Sequence, residues 1–376
     1  MSATQNFPQA PSQRLASLDA LRGFDMMWIM GADALGSAFS HLNGGSAARF
    51  VATQLDHVAW AGVRFYDLIF PLFVFMVGVA IPYSLDRIIA SSGRRGALQR
   101  VARRTALLYL LGLFYYGGFA TSLDQLRLLG VLQRIALCYC GASLAYLWLT
   151  PRSLVGLVCG LLVGYWALLT FVPVPGFGTG DFREGHNLTN WLDARYLPLR
   201  KWDGDHDPEG LLSTFPAVAT CLLGVMAGLC IRDPRRSEWG RVRFLAVAGA
   251  VLFVAGFAWG LQFPVIKKIW TSSFVLVAGG WSMMLLAAFY AVADVWKYNR
   301  WLQPFVWLGS NALAVYILSN ILDFNALSER FAGGPIAGLL NGIWSGLGGV
   351  VLALVSIVLC ILVAGFLYRR KIFLRL

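Results

Sequence analysis

The chain has 376 residues, of which 58% are hydrophobic and only 13% are charged, and its mean hydropathy is +0.64. This composition excludes a water-soluble globular domain and indicates a polytopic membrane protein. The formal net charge of +12 would suggest nucleic acid as a partner of a soluble protein. Here the positive residues have to be counted by side of the membrane, and we expect no nucleic-acid partner.

Ten apolar runs along the chain are candidates for membrane-spanning helices. They lie at 23–41, 65–86, 105–119, 129–149, 154–172, 211–230, 244–261, 271–293, 303–322 and 341–366. The first run is about as long as a bilayer-spanning helix and follows no signal-peptide pattern, so we expect it to be retained as a span. The sequence therefore predicts one all-α bundle of about ten transmembrane helices over residues 1–376, without a separate soluble domain.

Lysine and arginine are distributed unevenly between the two sides of the predicted membrane, since successive connections between the runs alternate from one side to the other. The connections on the side of the N-terminus hold 20 of the 31 basic residues, those of the other parity hold 10, and Arg134 lies inside a run. The positive-inside rule then predicts that both termini are cytoplasmic. The long hydrophilic connection at about 173–210 and His57 are expected on the outer face.

Several polar residues lie inside the predicted spans, where an ionisable group is costly unless it is paired or faces water. They are Asp25, Asp33, Asp67, Arg134 and Asn311. We expect at least some of them to line a polar cavity. The alternative is a structural ion pair, of which Asp19 and Arg22, three residues apart on a helix, are an example.

His57 is the strongest candidate for a catalytic group among four histidines. It lies where the chain re-enters the membrane, beside Trp60 and Asp67, and close in depth to Asp33 if the first two spans pair. An imidazole can accept a proton near neutral pH, so this setting favours a general base. His206 stands before Asp207 and Glu209 in a turn, where the carboxylates could instead cap the following helix.

Common catalytic motifs are missing from the sequence. It contains no G-x-S-x-G, phosphate-binding loop, H-E-x-x-H or C-x-x-C, so hydrolase, ATPase and zinc interpretations gain no support. All six cysteines fall within or at the ends of apolar runs and are typical of small buried side chains. We expect no metal.

Eight segments in the right order resemble the heparan-α-glucosaminide N-acetyltransferase family of transmembrane acetyltransferases, in particular its short bacterial members (the NagX type). They are SLDALRGFDMMWIMGAD, HVAWAGVRFYDLIFPLFVFMVG, LLGVLQRIALCY, VPVPGFGTGDF, DPEGLLSTFPAVATCLLGVMAG, IWTSSFVLVAGG, SNALAVYIL and YRRKIF. Each segment alone is weak, whereas eight collinear matches over nearly the whole chain are specific.

The resemblance implies an enzyme that moves acetyl from cytoplasmic acetyl-CoA to the amine of a glucosamine-type sugar at the outer face. It also implies a multi-pass protein of the bacterial inner membrane and a homodimer. The family's catalytic histidine falls on His57, which would be a general base or an acetyl carrier. Asp33 stands where the lysosomal branch has asparagine, so this residue could position the acceptor, orient His57 or pair elsewhere, and Asp67 could orient the imidazole.

The remaining site residues follow from the chemistry of the two substrates. The phosphates of acetyl-CoA require cations near the inner half of the bundle, for which the candidates are Arg22, Arg134, Arg103 and Arg104. Arg103 and Arg104 could equally contact lipid headgroups. The candidates for the sugar are Trp60, Asp207, Glu209, Trp270, Ser272 and Asn311, although helix packing explains the serine about as well.

Two other functions are compatible with the same residues. In an amino-sugar transporter the intramembrane charges would form a proton-coupled path, with His57 as a gate. An O-acyltransferase of envelope glycans would share the D-x-x-R-G start of the first span. Transport without chemistry, or transfer to a hydroxyl, would separate them from an N-acetyltransferase.

Overall fold

The computed structural model describes residues 15–117 and 122–374, which form fourteen α-helices and no β-strand. The prediction of an all-α fold is confirmed. The helices are α1 (Ala16–His41), α2 (Gly45–Gln54), α3 (Ile69–Tyr115), α4 (Val131–Trp148), α5 (Pro151–Phe171), α6 (Leu188–Tyr196), α7 (Thr214–Arg232), α8 (Glu238–Gly260), α9 (Ser272–Tyr290), α10 (Asn299–Ser310), α11 (Ala312–Ile321), α12 (Phe324–Ala332), α13 (Pro335–Ile343) and α14 (Leu347–Arg369).

Seven helices in this part of the chain are long and apolar enough to cross a membrane. They are α3, α4, α5, α7, α8, α9 and α14. The pair α10 and α11, bent by 66°, would form an eighth span. Helix α1 is not among them, since Asp25 and Asp33 lower its hydropathy. The larger number of ten spans stays a prediction.

Helix α3 corrects one predicted connection. Residues 87–104 were expected to link two spans, but helix continues through them except at Gly93, whose φ of 68° breaks the run into two helices. The segment is rich in arginine and alanine, which favour helix. Glycine adopts a positive φ without strain.

Helices α3, α4, α7 and α9 form the centre of the bundle. Their buried side chains include Phe75, Tyr139 and Phe274. Helices α3 and α7 approach so closely that a Cβ atom at Gly224 would overlap the carbonyl oxygen of Phe75. Small residues at a crossing allow this backbone contact between membrane helices. Helix α1 packs on the outside of this centre, against α10 and α14.

The bundle has two distinct ends. At one end, which we call the His57 end, the segment after α1 meets the start of α14, where the Asn43 backbone N–H donates to Ser345 O at 3.0 Å. At the opposite end, the start of α1 meets the segment after α9, where the Ser17 backbone N–H donates to Asp294 Oδ2 at 3.1 Å. The starts of α3, α4, α7 and α9 all lie at the His57 end.

Candidate active site

His57 lies in the loop between α2 and a 3₁₀ turn at Phe65–Leu68 that leads into α3. Its backbone is held on both sides: its N–H donates to Asp56 Oδ1 at 2.8 Å, and the Arg64 guanidinium donates to its carbonyl oxygen at 3.0 Å. The imidazole stacks on Tyr66 with 4.5 Å between ring centroids. Half of the side chain is exposed, so the ring is fixed but accessible.

Asp67 orients the His57 imidazole. It is the third residue of the 3₁₀ turn, a position at which a carboxylate caps the free backbone N–H groups, and its Oδ2 accepts from Arg64 N at 3.1 Å and Val58 N at 3.2 Å. Its Oδ1 lies 2.8 Å from His57 Nδ1. Because an ionised carboxylate only accepts, the neutral imidazole carries its proton on Nδ1. The lone pair is then on Nε2, as a general base requires.

Lys267 completes the cluster, and the sequence analysis missed it. Its Nζ lies 3.0 Å from His57 Nδ1, 3.4 Å from His57 Nε2 and 3.3 Å from Asp67 Oδ1. Burial lowers the pKa of this lysine, and the opposing effect of Asp67 offsets that only in part. The Lys267 side-chain nitrogen thus lies within hydrogen-bonding distance of both members of the His57–Asp67 pair.

Two loops hold Lys267 beside His57. Ala61 and Ile266 form an isolated antiparallel bridge, and the Gly62 N–H donates to Val265 O at 2.8 Å. The Ile266 N–H in turn donates to Thr271 Oγ1 at 3.0 Å, which closes the loop before α9. These contacts join the loop after α2 to the loop after α8.

Asp33 reaches the same cluster through Tyr66. Its exposed carboxylate lies beside the Tyr66 hydroxyl, and the Tyr66 ring stacks on His57. The structure thus brings together all three residues predicted to be catalytic, with Tyr66 as a contact that the sequence analysis did not identify.

Trp60 connects the His57 loop to the long hydrophilic segment. Its indole Nε1–H donates to the carbonyl oxygen of Phe182 at 2.8 Å, and the Lys268 ammonium lies 6.0 Å from its ring centroid. The side chain is half-buried. Its observed contacts are those of a link between loops, and the proposed sugar contact at this residue stays a prediction.

Asp207 and Glu209 belong to a buried ion network. Arg127 Nε and Nη2 donate to the two Asp207 oxygens at 2.8 and 2.6 Å, and Nη2 also contacts Glu209. The guanidinium carbon lies 4.8 Å from the centroid of the Tyr116 ring and 5.0 Å from that of the Trp202 ring. Arg127 thus occupies both Asp207 oxygens and one Glu209 oxygen, and the proposed sugar contact of these carboxylates stays a prediction. The alternative of a helix cap is wrong, since α7 begins at Thr214 without a side-chain cap hydrogen bond.

Replacing Arg127 with methionine is expected to destabilise the fold by about 3–5 kcal/mol, because it leaves two buried carboxylates without their cation. The measurement is the thermal unfolding midpoint of the purified protein in detergent. Arg183→Met is the matched control, since Arg183 pairs with Asp181 but is 76% exposed and such a pair contributes little. Equal midpoints for the two variants would show that the network does not hold this region.

Asp193 lies in the same region, on α6. It is fully buried and accepts from the backbone N–H of Leu211 at 2.8 Å and of Asp207 at 3.4 Å. Burial raises the pKa of this carboxyl from 3.8 to about 6. A carboxyl whose pKa is raised on folding stabilises the fold fully below pH 3.8 and loses that contribution as the pH rises through about 6.

Asp193→Asn is therefore expected to gain stability relative to wild type, by about 2–3 kcal/mol, as the pH rises from 4 to 7. The asparagine does not titrate and still offers an oxygen to the two amides. Unfolding midpoints of both proteins across this pH range measure the difference. A difference that does not change with pH would contradict the buried, protonated carboxyl.

Trp270 and Ser272 are buried, and their proposed place in the sugar site stays a prediction. The Trp270 indole N–H donates to Thr220 Oγ1 at 3.1 Å, and Ser272 donates to Leu162 O at 2.7 Å. Both side chains are used in packing at the start of α9. Asn311 is buried at the bend between α10 and α11, and its amide has no hydrogen-bond partner among residues 15–117 and 122–374.

The four arginines predicted to hold phosphates lie at different places in the bundle, and their role stays a prediction. Arg134 lies in the first turn of α4 at the His57 end, donates to Ser213 Oγ at 2.6 Å and faces the Trp270 ring. Arg22 lies toward the opposite end and pairs with Asp19 at 3.2 Å. A buried charge needs partners that stabilise it, but the hydropathy of the sequence does not indicate at which end of the bundle those partners lie.

Arg104 and Arg103 differ from each other. Arg104 is half-buried over the Tyr139 ring at 4.6 Å, and its Nε is buried without a hydrogen-bond partner in the part of the chain that the structure describes. Arg103 is exposed. Arg134 Nε and Nη1 are likewise buried without a hydrogen-bond partner among the described residues, so Arg104 and Arg134 both have donor groups that an anion could still occupy.

Comparison with known proteins agrees with the resemblance found in the sequence. A family model described as a domain of unknown function (DUF5009) matches residues 14–140. Human heparan-alpha-glucosaminide N-acetyltransferase is 28% identical over 96% of this chain and 59% of its own length. The mouse protein of the same name is 25% identical over 97% of this chain and 61% of its own. The chain is related to these N-acetyltransferases.

The similarity covers both segments that form the His57 cluster, the one with His57 and Asp67 and the one with Lys267. The alignments with the two N-acetyltransferases cover nearly all of the chain, whereas the DUF5009 match includes His57 and Asp67 but ends before Lys267. The chain spans about three fifths of the length of these relatives. The resemblance predicted from the eight segments is confirmed.

Proposed function

We propose that the protein is a transmembrane N-acetyltransferase that transfers acetyl from acetyl-CoA to the amine of a glucosamine-type sugar. The observation that carries the proposal is the His57–Asp67 pair, in which a half-exposed imidazole is oriented at 2.8 Å by a buried carboxylate. Its position in the segment that resembles the family's catalytic segment, and the relatedness of the chain to N-acetyltransferases, support the same reaction.

His57 Nε2 is the general base of the proposed reaction. As the sugar nitrogen attacks the thioester carbonyl carbon, Nε2 takes the amine proton, so that a C–N bond forms and the C–S bond breaks. The proton then passes to the departing CoA sulfur. A route in which Nε2 first accepts the acetyl group and then passes it to the amine uses the same atoms.

Lys267 and Asp33 have separate roles in this proposal. The Lys267 ammonium lies 3.4 Å from His57 Nε2 and can stabilise the negative charge that develops on the carbonyl oxygen. Asp33 is exposed beside Tyr66 and can bind the ammonium form of the acceptor.

The two substrates approach from opposite sides in the proposed arrangement. Both termini and the arginine-rich connections are cytoplasmic, the His57 end faces outward, and the protein is in the bacterial inner membrane as a homodimer. Arg104, half-buried along α3 with a free Nε, would contact an acetyl-CoA phosphate between the two ends.

Acceptor specificity tests the reaction directly. Detergent-purified protein is incubated with labelled acetyl-CoA and either glucosamine or N-acetylglucosamine, which has the hydroxyls but no free amine. We expect acetylated product from glucosamine alone. Product from both sugars would contradict the N-acetyltransferase and indicate an O-acyltransferase instead.

A transporter of amino sugars is the second candidate, and one observation favours it. Asp25 and Asn311 are buried polar groups without hydrogen-bond partners among the described residues, and Asn311 lies at the bend of a broken helix. Broken helices are typical of transporter binding sites. Uptake of labelled glucosamine into liposomes that contain the protein but no acetyl-CoA would support this candidate.

A further inference from the structure

A second cluster of ligand-type side chains lies next to Trp60. It consists of Glu184, Asp203 and His206, which come from two separate parts of the hydrophilic segment before α7. His206 Nε2 is 3.5 Å from Glu184 Oε1 and 3.7 Å from Asp203 Oδ2. One ligand atom from each of the three residues lies within 4.8 Å of the other two.

These separations match the coordination shell of a small divalent cation. Donor atoms at about 2.1 Å from a tetrahedral zinc ion are about 3.4 Å from one another. An imidazole nitrogen with two carboxylate oxygens is a donor set that zinc accepts. The two separations from His206 Nε2, 3.5 and 3.7 Å, are close to this value, and all three ligand atoms lie within 4.8 Å of one another.

His206 itself points to a ligand. The residue is 4% exposed, and within the described parts of the chain its Nε2 has no hydrogen-bond partner. Its Nδ1 lies 2.6 Å from Asp205 Oδ1. A carboxylate on the far nitrogen of a metal-binding histidine fixes the tautomer and raises its basicity, so Asp205 prepares Nε2 to be a metal ligand.

Lys268 occupies the position between the two carboxylate ligands. Its Nζ lies 2.9 Å from Glu184 Oε1 and 3.0 Å from Asp203 Oδ2. The cluster holds three carboxylates when Asp205 beside His206 is included, and Lys268 pairs with two of them. The cluster therefore keeps an excess of negative charge, which a dication neutralises better than a single lysine.

We propose that Glu184, Asp203 and His206 bind a divalent cation, zinc by their chemistry, in exchange for the Lys268 ammonium. The bound ion would join residue 184 to residues 203–206 and fix the segment that Trp60 ties to the His57 loop. The site is structural and does not depend on the proposed acetyl transfer. No sequence motif indicates it, because its ligands are separated by 19 and 3 positions.

Zinc binding to the metal-stripped full chain in detergent, measured by isothermal titration calorimetry, tests the proposal. We expect one saturable site per chain. Asp205→Asn should weaken it about 10–100-fold, and His206→Ala should weaken it at least as much. His186→Ala is the matched control, since His186 also contacts a carboxylate, Asp181 at 3.2 Å, and should leave the affinity unchanged.

Lys268→Met distinguishes the proposed metal site best from a simple ion pair, because the proposal predicts a gain in zinc affinity. Removing the competing ammonium should tighten zinc binding, whereas a cluster that exists only as an ion pair would be disrupted by the same change. The absence of saturable binding to wild type, an affinity unaffected by His206→Ala, or weaker binding by Lys268→Met would overturn the proposal.

Discussion

Replacing His57 with alanine is expected to lower the rate of acetyl transfer about 10²–10⁴-fold, the range that a positioned general base contributes. The loss follows because no other group in the cluster offers a neutral lone pair to the incoming amine: Asp67 is bound by two backbone amides and Lys267 is a donor. Initial rates of purified wild type and variant with acetyl-CoA and glucosamine measure the effect.

His186→Ala is the control for this substitution. His186 is 35% exposed and lies 3.2 Å from Asp181, so it shares the residue type and the carboxylate partner but not the contact with Lys267. Its rate should stay near that of wild type. A His57→Ala protein that unfolds like wild type and retains full activity would remove His57 from the mechanism.

Replacing Lys267 with methionine is expected to lower the rate about 10²–10³-fold, the effect of losing one group that stabilises an oxyanion. Lys267→Arg keeps the positive charge and should retain more activity. Because burial lowers the pKa of Lys267, the wild-type rate should fall at high pH as the ammonium deprotonates. The guanidinium does not titrate in this range, so the arginine variant should move that fall to higher pH.

The pH profile separates a catalytic charge from a structural one. Lys201→Met, at a lysine outside the His57 cluster, should leave both the rate and the profile near wild type. If Lys267→Met lowers the rate but keeps the wild-type fall at high pH, the titrating group is elsewhere and Lys267 only supports the loop.

The all-α fold and the His57–Asp67 pair can be predicted from the sequence because both depend on residues that are close together in the chain. The two residues are ten positions apart at the start of one apolar run, so the distance between them is set by a single loop and a 3₁₀ turn. Lys267 could not be found in this way. It lies 200 residues further along the chain, and its contact with Asp67 depends on the bridge between Ala61 and Ile266.

The partners of charged residues in the hydrophilic segment could not be predicted for a related reason. Asp207 and Glu209 look like free carboxylates in the sequence, since their partner Arg127 lies in another connection. Arg134 lies inside a predicted span in the sequence, and only the structure shows its partner Ser213, which lies 79 residues away at the His57 end. Hydropathy identifies an intramembrane charge as significant, but only the packing of helices identifies its partner.

Acetyl transfer across sealed proteoliposomes is the measurement that tests the proposed transmembrane N-acetyltransferase most directly. Labelled acetyl-CoA is enclosed inside, glucosamine is added outside, and both compartments are analysed for product. We predict N-acetylglucosamine in the outer compartment with wild type and a loss of that product with His57→Ala. Unmodified glucosamine that accumulates inside the liposomes, without N-acetyl product in either compartment, would contradict the enzyme and establish the transporter.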